Sequence, residues 1–169
     1  HCMLRLRSSL DMRSESGGPL DAPRYSSLNP DRFVFRVAEP DSRFLPRGHS
    51  RPDMAILDLS SEDKAEALRS GRRPGLSVWD ATQTPLADAQ RLTKKWEGLA
   101  FGARVANLRA VGQAFERPLD VVTDPRPASD GPGAAGHALV EGLDRPKMTE
   151  RQRQKDFLFA VLSLLEPHP

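Results

Sequence analysis

An α+β domain, or a small α/β one, with a central mixed sheet, helices packed on it and a C-terminal amphipathic helix, is predicted by three observations. Short segments rich in strand formers alternate with segments of helical period through residues 33–142. Turn residues punctuate them throughout, with 15 prolines and 12 glycines in 169 residues. Near the end, Phe157, Leu158, Val161, Leu162 and Leu165 fall on one face of a helix. A chain of this length buries enough surface for one core. A single domain is therefore expected over residues 31–169. Before it, residues 1–30 mix Ser, Arg, Gly and Pro without period and are expected to form a flexible arm, opened by His1-Cys2-Met3 as a cloning remnant.

Taken in order, Phe33 to Ala38 is the first strand, closed by Glu39-Pro40. Asp41 to Asp53 carries Pro46, Gly48 and Pro52 and is a loop. After the short apolar segment Met54 to Leu59, Ser60 or Ser61 caps a helix of about ten residues that stops at Gly71. Leu76 to Trp79 is a second strand. Thr84-Pro85 starts a helix expected to reach Glu97, with Leu86, Ala89, Leu92 and Trp96 turned inward. Ala103 to Asn107 reads as a short strand, Leu108 to Phe115 as a helix stopped by Pro118, and Leu119 to Val122 as a strand. A Pro- and Gly-rich loop over Asp124 to Gly136 leads to His137–Gly142, the last strand expected. The capping box Thr149-Glu150-Arg151-Gln152 then opens the terminal helix.

The formal charge is +2, with 20 Arg against 5 Lys. The 23 acidic residues are dispersed among the basic ones, so the molecule as a whole does not attract a polyanion. Cys2 is the single cysteine, which excludes an internal disulfide and a Cys-based zinc site, and a cytoplasmic location is expected. Arg5 and Arg7 interrupt the segment where a signal peptide needs an apolar run. The longest apolar stretch, Phe157 to Leu165, is about half the roughly 20 residues a bilayer requires, so no membrane partner is expected.

Gly131-Pro132-Gly133-Ala134-Ala135-Gly136 spells a dinucleotide-binding fingerprint. Prolines precede it and a strand follows it, where that motif needs a strand before and a helix after. No Lys-Ser or Lys-Thr follows Gly136, so it is no P-loop either. Asp53 with Glu62, Asp63 and Lys64 imitates a metal-dependent nuclease set, but Glu62 and Lys64 fall in the first turn of a helix, where they diverge by roughly 200°. No metal and no cofactor are expected. Arg47 and Arg51 in the loop around His49, with Arg72 and Arg73 at a helix end, are the candidate nucleic-acid contacts.

His137 stands where the glycine-rich loop meets a strand, with Glu141 on the same strand face, a pair of titratable groups suited to acid and base roles. Arg36, Ser77 and Glu141 occur in the order of the Arg, Ser and Glu that ADP-ribosyltransferase-like folds place on successive strands. That resemblance implies an NAD-using transferase with Arg36, Ser77 and Glu141 converging and His137 nearby. Gly75–Asp80 and Gly136–Gly142 resemble segments of small uncharacterised bacterial proteins, a similarity that implies a stand-alone domain over residues 33–143. The leading expectation is a non-enzymatic interaction or regulatory module that binds another protein in a bacterial defence or toxin–antitoxin system. The transferase and an RNA- or DNA-binding protein are the alternatives.

Overall fold

The computed structural model describes residues 23–144 and 151–168. Six strands form one sheet: β1 (Phe33–Ala38), β2 (Gly75–Asp80), β3 (Leu99–Arg104), β4 (Asp120–Thr123), β5 (His137–Glu141) and β6 (Glu166–His168). Their spatial order is β4-β5-β2-β1-β3-β6. Four helices accompany them: α1 (Ser61–Ser70), α2 (Leu86–Thr93), α3 (Val105–Ala114) and α4 (Arg151–Leu164). The class is α+β as expected, but the sheet is antiparallel at every strand pair instead of mixed. Among the described residues no helix is long and apolar enough to cross a membrane.

The sheet is apolar on both faces. On one face Val34, Leu76, Val78, Phe101, Val121 and Val140 meet α3 and α4 in the larger core. Phe157 is fully buried there, its ring meeting Phe115 edge-on with centroids 5.6 Å apart. On the other face Phe35, Val37, Trp79 and Ala100 pack against Ala89, Leu86 and Leu92 of α2 in a smaller cluster. Successive strand residues point to opposite faces, so each strand supplies both cores.

Helix α1 begins and ends as its sequence dictates. Ser60 Oγ accepts from Asp63 N–H at 3.0 Å and Asp63 returns the bond to Ser60 N–H at 3.1 Å, which satisfies two of the free donors of the first turn. Gly71 closes the helix at φ 67°, a left-handed conformation open to glycine without a Cβ penalty. Two of the three acidic residues of the nuclease-like string serve as caps: Asp53 accepts from Ala55 N–H to start a 3-10 turn over Met54–Leu57, and Asp63 closes the box.

Helix α2 is shorter than its apolar period suggested. Lys94 adopts a left-handed φ of 57° and Lys95 N–H returns to Gln90 O, so the helix ends at Thr93 and leaves Trp96 65% exposed instead of inward. Downstream, the strand expected over 103–107 lies at 99–104. Val105, Leu108 and Gly112 then face the core at helical spacing, which moves the start of α3 back to Val105. His137–Gly142 does not contain the last strand, because Glu166–His168 pairs with β3 and the His168 ring stacks on Phe33, centroids 4.6 Å apart. Residues 23–30, expected in the arm, run beside β4: Leu28 is buried in the larger core and Ser27 forms a bridge with Val122. Thr149 and Glu150 of the expected capping box lie outside the described residues.

Candidate active site

The side of the sheet carrying the smaller cluster is covered by α2 over β1 and β3. Over β2 and β5 it opens into a cleft of about 200 Å³, walled by α1, Tyr25 and the loop that follows β4. Ser77 and His137 lie in its floor. Ser77 is the Cα partner of Leu139 and His137 that of Trp79, so the two side chains share a face on a cross-strand diagonal. Ser77 Oγ and His137 Nε2 are hydrogen bonded.

The third member is Asp124. The register that pairs Thr123 with Ala138 continues by one step, since Asp124 N–H donates to His137 O at 3.0 Å. Side chains directly opposite on an antiparallel pair point the same way, and Asp124 Oδ2 comes within 3.3 Å of His137 Nδ1. Nδ1 also lies 2.8 Å from the Asp124 carbonyl oxygen. Both neighbours of Nδ1 are acceptors, so Nδ1 carries the proton and Nε2 presents its lone pair to the Ser77 hydroxyl, which donates. The three residues make a Ser–His–Asp relay with the imidazole as acceptor from the hydroxyl.

The surroundings hold the relay in place. The His137 side chain is only 6% exposed, and Trp79 meets its ring edge-on with centroids 5.1 Å apart. Asp124 Oδ1 accepts from Arg24 Nε and Nη2 at 3.0 and 2.8 Å. Burial pushes the Asp124 carboxyl up, but the hydrogen bonds and charges of His137 and Arg24 outweigh it and hold the group below the usual carboxylate range. A carboxyl depressed on folding stabilises the folded chain above its ordinary range, and that contribution is lost as pH falls through its folded value. The Asp124 carboxyl is therefore favoured in its ionised form beside the ring.

The positions singled out in the sequence divide. Ser77 and His137 are together. Glu141 shares their face but sits four residues along β5, roughly 13 Å away at strand rise, and its carboxylate is bound to Arg72. Arg36 is not part of the site. It alternates with Val34 and Ala38 toward the larger core, on the face opposite Ser77, and its Nη1 donates to Ile56 O. Burial lowers the Arg36 guanidinium to about 10, with the charge of nearby Arg43 adding to the shift while Asp63 and Asp58 oppose it. Arg36 is thus half-buried, and Arg36, Ser77 and Glu141 do not converge as an NAD-gripping set would require. The sheet has apolar companions on both faces, so alternation alone did not say which face is wet.

The candidate nucleic-acid contacts are dispersed. Arg72 is paired with Glu141, Arg73 with Asp144 at 2.7 Å, and Arg51 Nη2 donates to Leu165 O at 3.1 Å, while Arg47 lies in an exposed loop. The glycine-rich string is a surface loop docked on α2: Thr84 Oγ1 donates to Gly133 O at 2.7 Å, and a Cβ at Gly136 would lie 2.0 Å from that hydroxyl oxygen. The loop thereby fixes where β5 begins, and with it His137. Among the described residues no group of His, Cys, Asp or Glu is placed to hold a metal ion. Compared with protein-family models, with curated proteins and with solved structures, the chain matches none.

Proposed function

We propose that the protein is a serine-dependent hydrolase that cleaves esters or related acyl bonds in this cleft. The observation that carries the reading is the hydrogen bond between Ser77 and the lone-pair nitrogen of a histidine whose other nitrogen is held by Asp124. In that arrangement Ser77 Oγ attacks an acyl carbon while its proton passes to Nε2. The imidazolium so formed is stabilised by the ionised Asp124, and it returns the proton to the departing alcohol oxygen as the old ester bond breaks. Water, deprotonated by the same nitrogen, then releases the acid from Ser77. A non-enzymatic interaction module does not account for three such groups meeting on one cleft floor.

A fluorophosphonate probe tests this directly. It is expected to label the native protein at Ser77, with labelling lost in Ser77→Ala and on heat unfolding. Labelling that is absent, or that persists in Ser77→Ala, would sink the reading.

An interaction role has one observation of its own. Trp96 is 65% and Leu99 48% exposed, three residues apart at the turn between α2 and β3, and apolar groups so placed suit a protein partner. If they are a contact surface, a partner copurifying at fixed stoichiometry is lost in the Trp96→Ser, Leu99→Ser double variant. Equal recovery from both proteins would remove this role.

A further inference from the structure

We infer that the substrate of this cleft carries an oxyanion, a carboxylate or phosphate, beside its scissile bond, and that Arg126 selects it. The inference rests on the Ser77 reading above. Arg126 follows Asp124 by two residues, and its backbone N–H donates to Ala134 O at 3.0 Å, which anchors the loop. Its guanidinium lies over the Trp79 indole, 5.6 Å from the ring centroid. The same indole meets His137 edge-on at 5.1 Å. One aromatic ring thus separates a fixed positive charge from the base of the relay.

The other arginines of the cleft are already engaged. Arg69 is held by Glu66 at 2.7 Å, Arg73 by Asp144 at 2.7 Å and Arg72 by Glu141. Among the described residues Arg126 has no acidic partner, and its side chain is exposed at the cleft wall. A second donor points the same way. Arg72 Nε, shielded from solvent on the cleft lining, has no acceptor, although the rest of that guanidinium is bound to Glu141 and stacked 4.0 Å from the centre of the Tyr25 ring. A shielded donor without an acceptor carries a desolvation penalty, which a bound oxygen ligand relieves. Glu62, Asp63 and Glu66 make the α1 wall acidic, so an anion seats on the Arg126 side. The planar guanidinium, propped on an indole, is oriented for two parallel bonds to an oxyanion, a geometry an ammonium does not reproduce.

The test compares p-nitrophenyl propionate with the mono-p-nitrophenyl ester of succinate, which differs by one carboxylate. The wild type is expected to favour the charged ester in kcat/KM. Arg126→Met keeps an apolar stem over Trp79 and removes the charge, and it is expected to lower the ratio of charged to neutral kcat/KM roughly tenfold, with Arg126→Lys recovering only part. A ratio unchanged by Arg126→Met overturns the inference even where both esters turn over at Ser77. If neither ester turns over and Ser77 resists the fluorophosphonate, the hydrolase reading itself has failed. Protection of Ser77 from that probe separates the two oxyanions: protection by inorganic phosphate alone assigns a phosphate, protection by succinate alone a carboxylate. Protection by neither also overturns the inference.

Discussion

His137→Gln is expected to lower ester turnover roughly 10³-fold, the scale on which a positioned general base contributes, and to leave the protein folded. Glutamine keeps a polar group within reach of Asp124 but supplies no nitrogen lone pair to Ser77. The Ser77 hydroxyl then has no acceptor for its proton during attack. The loss falls on kcat, since His137 lines the floor of the cleft and does not form its walls. Fluorophosphonate labelling slows by the same factor, because the probe reports the nucleophile alone. Thermal unfolding of the variant, followed by circular dichroism, separates a chemical defect from a structural one. Turnover within tenfold of wild type in a folded variant would show that the hydrogen bond between Ser77 and His137 is structural.

Phe157→Ala is expected to cost about 3–5 kcal/mol of stability, the usual scale for an aromatic removed from a core. Phe157 is fully buried and binds α4 to α3 through the edge-on contact with Phe115, while the Arg117 guanidinium lies 4.9 Å from its ring centre. Truncation leaves a cavity between two helices whose backbones are tied to the sheet, so the site does not collapse to fill it. Urea unfolding reads the effect as a lower midpoint at unchanged slope. A loss under about 1 kcal/mol would mean that α4 contributes little to the larger core.

Local signals carried most of the elements. The Ser60 and Asp63 cap, the Gly71 stop and the strands at 33–38 and 75–80 lie where their residue types put them. Pairing was not legible, because β5 and β2 are neighbours in space and about 60 residues apart in sequence. The Ser77 and His137 contact depends on that register. The same-face relation of His137 and Glu141 could be read along one strand, but sharing a face over four residues does not bring side chains into contact. Asp124 escaped notice for a related reason. It directly follows a recognisable strand, yet it becomes a partner of His137 only when the intervening loop folds back. An acidic residue at the end of one strand and a histidine at the start of the next is the signal that could have found it.

The diagonal of Ser77 and His137 also makes the cleft a parity check on strand pairing. Shifting β5 by one position against β2 would turn the imidazole to the far face of the sheet, whereas a shift of two keeps the face and sets the ring directly opposite Ser77 in one direction or out of its reach in the other. On the proposed reading, nucleophilicity at Ser77 is thus confined to molecules in which the central strands have paired with the right parity. During refolding it reports the moment at which two distant stretches of chain have met correctly, a step that contacts of such long sequence separation make slow.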